Sequence, residues 1–250
     1  MNVQTTACFH VLLATVALAG AANAQGTEDD LVPFSAAYRV EWHGLNAGTS
    51  TLELTRGEDS TYVYRSTNNA RGIFLLAIPD PVTETSTFRI AADTVQPLSY
   101  TSDNGSKTSR NVNLRFDWNS MRATGTSANQ PVDLALEKGT QDNLSVQIAL
   151  MRELRKGAAP SRFALIDDKQ IKQYAYAKEG EAQIDTALGK LDTVIYTSQR
   201  TGSPRVTRLW LAPAYGYLPV QGEQLKRGKR EIEMRILSTT IVPHQPAPLS

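Results

Sequence analysis

"DNLSVQIALMRELRKG", residues 142–157, is the stretch on which the fold turns. Asp142 is a good N-cap residue, Arg155 and Lys156 put positive charge in the last turn, and Gly157 supplies a stop, so the spacing predicts a helix over 142–156. On a helical wheel Leu144, Val146, Ile148, Leu150, Met151 and Leu154 cover an arc of about 200°, whereas a surface helix needs a stripe of about 100°. A helix that apolar has to be enclosed. Nearly everything around it reads as strand, so the enclosing wall is a curved sheet.

From Phe34 to Val242 the pattern is period-two alternation in short runs broken by Gly, Asn, Asp and Pro, the mark of antiparallel strands with one wet face. Strands are predicted at 34–42, 49–56, 61–68, 82–91, 96–102 and 108–118, with Asp103-Asn104-Gly105 as a hairpin turn. After the helix they follow at 162–167, 172–178, 181–188, 190–200, 205–211, 217–225 and 231–241. No internal repeat, low-complexity tract or dividing linker is found. The expected fold is mainly β: a curved antiparallel sheet or incomplete β-barrel wrapped around one central α-helix, in a single domain over 25–242.

The two ends read differently. Val11 to Ala22 is apolar and Ala-rich and leads into Ala22-Asn23-Ala24, the small-x-small site of a cleavable signal peptide over 1–24, although no Lys or Arg precedes Val11. A dozen apolar residues fall short of the roughly 20 needed to span a bilayer, so export to the periplasm is expected rather than anchoring. The single cysteine, Cys8, leaves with that signal, which excludes structural disulfides, thiol catalysis and cysteine-bound metals in the mature chain. A net charge of +1 offers no basic excess for nucleic acid. Three prolines between Pro243 and Ser250 mark a disordered tail.

The order of pieces carries a resemblance. Asp142-Asn143-Leu144-Ser145 starts the helix, and the ending "RLWLAPAYGYLPVQGEQLKRGKREIEMRI" places Trp210-Leu211, then Pro219-Val220, before a last hairpin centred on Gly228. Over about residues 33–242 the chain resembles the bacterial envelope family called domain of unknown function 3108. The resemblance implies an exported β-rich protein of a Gram-negative bacterium, similar in outline to the open barrels that handle lipoproteins in the periplasm. It implies no activity, so no functional residue carries over.

Chemistry-bearing motifs are sparse. The mature chain has two histidines: His244 in the tail and His43 in the turn "EWHGLNAG", where an ordinary turn residue beside Trp42 is expected. No Gly-x-Ser-x-Gly elbow, phosphate loop or calcium-loop spacing is present. The acid pairs Asp29-Asp30, Glu58-Asp59 and Asp167-Asp168 read as solvated turns, so neither metal nor cofactor is expected. A glycan hydrolase would need two of Glu41, Glu53, Glu84, Asp117 and Asp185 to face each other across a cleft lined by Trp42, Trp118 or Trp210.

One apolar run remains unexplained by alternation: "ARGIFLLAIPDPV", residues 70–82. Leaving Ile73, Phe74, Leu75, Leu76 and Ile78 in water would be unfavourable on the order of 10 kcal/mol. Either the run makes a short helix or wide turn, ended by Pro79 and Pro81, that plugs one mouth of the sheet, or it forms a lid on an apolar cavity. In the second reading Phe74, Leu75, Leu76 and Ile78, with Leu144, Ile148 and Met151 of the helix, face a site for an acyl chain. The expected role is a non-enzymatic envelope protein that binds a lipid, acyl chain or lipoprotein, with Lys226, Arg227, Lys229 and Arg230 available for anionic head groups. The rival is an interaction module with a filled core, and a cavity above roughly 300 Å³ would favour the binder.

Overall fold

The computed structural model describes residues 31–167 and 169–244. The readings of a signal peptide over 1–24 and of a tail beyond 244 lie outside them. The contact pattern divides the chain after Leu31, and everything that follows concerns the unit beginning at Val32.

Fourteen strands form one sheet: β1 (Phe34–Trp42), β2 (Leu45–Arg56), β3 (Thr61–Ala70), β4 (Val82–Ala91), β5 (Thr94–Asp103), β6 (Val112–Asp117), β7 (Arg122–Ser127), β8 (Gln130–Ala135), β9 (Arg162–Asp167), β10 (Gln170–Thr186), β11 (Gly189–Arg200), β12 (Arg205–Ala212), β13 (Leu218–Lys226) and β14 (Lys229–Thr239). The helix α1 (Ser145–Arg155) lies between β8 and β9 in sequence. Apart from β8 and β9, strands adjacent in the chain pair antiparallel, and β1 also pairs with β14, so the order runs β8-β7-β6-β5-β4-β3-β2-β1-β14-β13-β12-β11-β10-β9. The sheet is curved and unclosed. Its one missing neighbour pairing, β8 with β9, is the one interrupted by the helix.

Local chemistry explains the hairpins. His43-Gly44, Asp59-Ser60, Ala92-Asp93, Ala128-Asn129 and Arg227-Gly228 are consecutive positive-φ pairs, the geometry whose twist matches that of the flanking strands. Asp103-Asn104-Gly105 does not make such a turn. Instead residues 104–111 form a longer connection, in which the Asn104 N–H donates to Asn111 Oδ1 at 2.9 Å. The strand read over 108–118 accordingly begins as a 3₁₀ turn at Thr108–Arg110 and becomes β6 from Val112. The strands read over 172–178 and 181–188 are one, β10, broken in register by a bulge between Lys178 and Gly180. β7 escaped the alternation pattern because its inward positions include Ala123 and Gly125, too small to register as apolar, and β8 because its six residues carry only Val132 and Leu134 inward.

Alternation buries Phe34, Ala36 and Tyr38 on one face of β1, and that concave face receives the helix. Ser145, Val146, Ile148, Ala149, Leu150, Met151, Arg152 and Leu154 of α1 are all buried. Leu150 and Leu154 pack with Tyr196 of β11 and Leu211 of β12, flanked by Phe163, Tyr176, Val194, Leu209 and Tyr217. The enclosed helix and its sheet are therefore as the apolar arc demanded, although its regular turns start at Ser145, three residues later than read. Asp142 still caps it: Oδ1 accepts from the N–H of Leu144 and of Ser145, each at 2.8 Å, while Ser145 Oγ accepts from the Asp142 N–H at 2.9 Å.

Gln141 stitches the open seam. Its N–H donates to Ala164 O at 2.8 Å and its carbonyl accepts from the Ile166 N–H at 3.0 Å, both on β9. Its side-chain amide donates to Val95 O on β5 at 2.9 Å, so one buried residue spans from one half of the wall to the other. At the far end of α1, Arg152 and Lys156 meet Asp93 in the β4–β5 turn at 3.2 Å and 2.8 Å.

Because Leu150 is 1% exposed and sits at the helix–sheet contact, Leu150→Ala is expected to lower unfolding stability by about 2–5 kcal/mol through lost transfer energy and a residual void. Urea denaturation checks this, and a change below 1 kcal/mol would mean that α1 is not packed in the core.

Candidate functional site

Beyond the core-facing residues of β1, the same face continues with Val40 and Trp42. Cross-strand register extends that row: Trp42 opposes Ile232 on β14, Val40 opposes Gly48 on β2, Gly48 opposes Ala70 on β3, and Asn68 opposes Val82 on β4. These residues line a groove of about 490 Å³ at one end of the concave face, with walls almost wholly apolar. Gly48 lets β2 and β3 approach closely there. A Cβ there would stand 1.9 Å from the Asn69 carbonyl oxygen, and its φ of +149° suits glycine.

The groove is edged by the run that alternation left unexplained. Gly72, at φ +61°, turns the chain out of β3 into a 3₁₀ turn at Gly72–Leu76, in which the N–H groups of Ala77 and Ile78 donate to Phe74 O at 3.0 Å and 2.9 Å. Asp80 accepts from the Ser106 N–H at 2.9 Å, and Lys107 Nζ donates to the Ala77 carbonyl, tying the end of this lip to the β5–β6 connection. Phe74 stands edge-on to Trp42 with ring centroids 5.9 Å apart, and Phe74, Ala77 and Ile78 line the groove. The rest of the run is not covered. Ile73 is 71% exposed and Leu76 92% exposed, against the expectation that all five apolar side chains are in contact.

A polar band lies deeper on the same face. Along β4 the inward order is Val82, Glu84, Ser86, Phe88. Glu84 accepts from the Tyr100 hydroxyl, which in turn lies 3.4 Å from Asn143 Nδ2. Ser86 Oγ donates to Asp142 Oδ2 at 2.6 Å. Burial, followed by the Glu84 charge, holds the Tyr100 hydroxyl far above its ordinary range. Burial also pushes the Asp142 carboxyl up to about 6, in spite of four hydrogen-bond contributions that favour its charged form.

This band explains how the seven sequence-read site residues divide. Phe74 and Ile78 line the groove, Leu75 and Leu76 are exposed on the lip, and Leu144, Ile148 and Met151 are buried with α1 and form no part of the groove wall. The structure brings the first two together and leaves the helix residues in the other apolar compartment. Val40, Trp42, Gly48, Ala70, Val82 and Ile232 were missed. Their signal was present, since the inward alternation of β1 runs on through Val40 and Trp42 past the last buried residue.

The other candidates also have places. Glu53, Asp117 and Asp185 are exposed, Glu41 lines the groove beside Trp42 and pairs with Arg39 at 3.3 Å, and Glu84 accepts from Tyr100. Trp118 Nε1 donates to Pro97 O at 2.7 Å. His43 is a turn residue at φ +48°, its ring 4.3 Å from Trp42. Among the described residues no group of three or more His, Cys, Asp or Glu is placed to hold a metal ion. Lys226, Arg227, Lys229 and Arg230 are exposed on the β13–β14 hairpin.

Residues 37–235 match the family described as "Protein of unknown function (DUF3108)", and the chain belongs to that family, which bears out the resemblance read from the order of its pieces. No curated protein matches it. Among solved structures it is similar to a β-barrel-like protein of domain of unknown function DUF1849 from Brucella abortus, at 14% identity and TM-score 0.51, over 84% of this chain and 98% of that one. A weaker likeness, at 10% identity and TM-score 0.37, covers 85% of this chain and 53% of the Pseudomonas aeruginosa MucA/MucB structure. Another, at 8% identity and TM-score 0.40, covers 83% of this chain and 95% of a protein from Bacteroides fragilis described as exported, with a YmcC-like fold. At TM-scores below 0.5 neither of these bears on function here. The first likeness is one of fold.

Asp142 makes the fold pH-dependent in a defined direction. Its folded pKa, about 6, lies above the ordinary 3.8, so the folded state binds this proton more tightly than the unfolded one. The resulting stabilisation is full below pH 3.8 and is lost as pH rises through 6. Asp142→Asn keeps an oxygen for the two N–H groups and removes the titration. The fall in unfolding free energy between pH 4 and 7 is expected to be smaller in the variant by roughly 2–3 kcal/mol, and parallel urea curves at both pH values would contradict it.

Proposed function

We propose, for this member of a family without assigned chemistry, that the groove holds the acyl chain of a lipid or lipid-linked partner, in an exported envelope protein that binds rather than catalyses. The observation that carries this reading is an apolar groove of about 490 Å³, open at a lip that a few contacts hold in place. That volume falls within the range of small-molecule sites, roughly 300–1,000 Å³, and supports a binder over a module with a filled core. The signal-like segment Val11–Ala24 supports export.

The surface that the groove offers an acyl chain is almost wholly apolar, so affinity comes mainly from methylene burial. Each buried methylene contributes about 0.8 kcal/mol, roughly fourfold in affinity. Competition of saturated fatty acids of increasing length against a fluorescent fatty acid is therefore expected to show about a fourfold gain per methylene, ending when the chain outgrows the groove. Ile78→Asp, at the lip, weakens binding at least tenfold, and Ala70→Trp, on the wall, abolishes it. Ile148→Ala lowers stability but leaves affinity unchanged, because Ile148 lies in the helix core and not in the groove. Absence of any chain-length dependence would sink the reading.

A further inference from the structure

The strand order places four connections along one rim of the sheet: β5–β6 (104–111), β3–β4 with the lip, β1–β2 (43–44) and the β13–β14 hairpin. The groove opens on this rim, since Trp42 and Ile232 line it and Lys229, the first residue of β14, stands three positions before Ile232. Two properties coincide there. Ile73, Leu76 and Leu45 project at 71%, 92% and 54% exposure, an apolar lip that no described residue covers. Around it Arg71, Arg110, Arg227 and Lys229 are exposed and have no acidic partner among the described residues, and Lys107 Nζ donates to the Ala77 carbonyl.

The acids of the same rim are turned to other work. Asp80 accepts from Ser106 N–H, Asp103 from Gly105 N–H at 3.0 Å, and Glu231 pairs with Lys226 at 3.5 Å and Arg205 at 3.8 Å. The rim thus combines unpaired cations with exposed aliphatic side chains, the pairing that suits an interface with phosphate head groups outside and acyl chains beneath.

We propose that this rim docks on the surface of an anionic phospholipid bilayer, with Ile73 and Leu76 seated among the acyl chains, Arg71, Lys107, Arg110, Arg227 and Lys229 on the phosphates, and the groove mouth facing the membrane. The inference rests on the acyl-chain reading for the purpose of docking, and its geometry is independent of it. The bilayer is then where the groove loads or delivers its chain.

Sedimentation of the full mature chain with vesicles tests this, using phosphatidylcholine alone and phosphatidylcholine mixed equally with phosphatidylglycerol. Binding is expected to the anionic vesicles only and to weaken with salt. Arg227→Ala with Lys229→Ala lowers partitioning about 30-fold, equivalent to about 2 kcal/mol at about 1 kcal/mol per basic residue. Leu76→Asp lowers it without affecting folding, its side chain being almost fully exposed. Lys190→Glu, at the start of β11 and at the opposite end of the sheet, leaves it unchanged. Ala70→Trp separates the two ideas: with the groove filled, docking persists while fatty-acid binding is gone. Equal binding to both vesicle types, or no effect of the Arg227/Lys229 pair, overturns the proposal. So does a stable dimer in sedimentation equilibrium that Leu76→Asp abolishes, since the lip would then be a contact between copies.

Discussion

A helix apolar over most of its circumference has no stable position on a surface, and the structure follows from enclosing α1. Two stacked flat sheets would leave part of Ile148, Leu150, Met151 or Leu154 in water. A single meander that curls over both sides of the rod covers them. The price is closure: the helix occupies the connection between β8 and β9, so those two cannot pair as hairpin neighbours. Open edges are a hazard that proteins usually blunt, and here Gln141 spans the seam with main-chain bonds to β9 and a side-chain bond to β5.

Asp142 is the other fixed point. A buried carboxylate is unfavourable unless its lone pairs are satisfied, and here two backbone N–H groups and the Ser86 hydroxyl satisfy them. Together they pin the start of the helix to β4. That pin draws polar side chains onto the inner face, and Glu84, Tyr100 and Asn143 continue the band. Apolar volume on either side of it is then two compartments: one filled by α1, one left as a groove. A uniformly apolar interior would have allowed a single packed core.

Shared architecture says little about chemistry, since barrel-like sheets carry many unrelated functions. What distinguishes this molecule is its rim. The lip presents side chains that a protein of this size could have buried, and it does so beside the opening of an apolar groove and among exposed cations without an ion-pair partner among the described residues. Exposure of this kind is costly in water and makes sense when water is not the final neighbour. Groove and lip also share Phe74 and Ile78, so a displacement of the lip alters the groove without disturbing the sheet.

Much of the fold was legible before any coordinates. Alternation located β4 and β9 to the residue, and the helix arc required a curved wall. It failed where inward side chains are small, at β7, where a strand is short, at β8, and where a bulge imitated a turn, in β10. The site was legible only in part. The run from Ile73 to Ile78 stood out as apolar length without a period, and it does edge the groove. Its assignment to one cavity with Leu144, Ile148 and Met151 could not be tested by pattern, because hydrophobicity says that a residue seeks cover and not which cover it finds. By itself the sequence determined the period of each element, the side each residue faces and the need to enclose one helix, since these are local properties of the chain. Only the tertiary structure decided that Trp42, Gly48, Ala70 and Ile232 share a wall, that a polar band parts them from the helix, and that the basic hairpin stands at the same rim, because each of those depends on register between strands far apart in sequence.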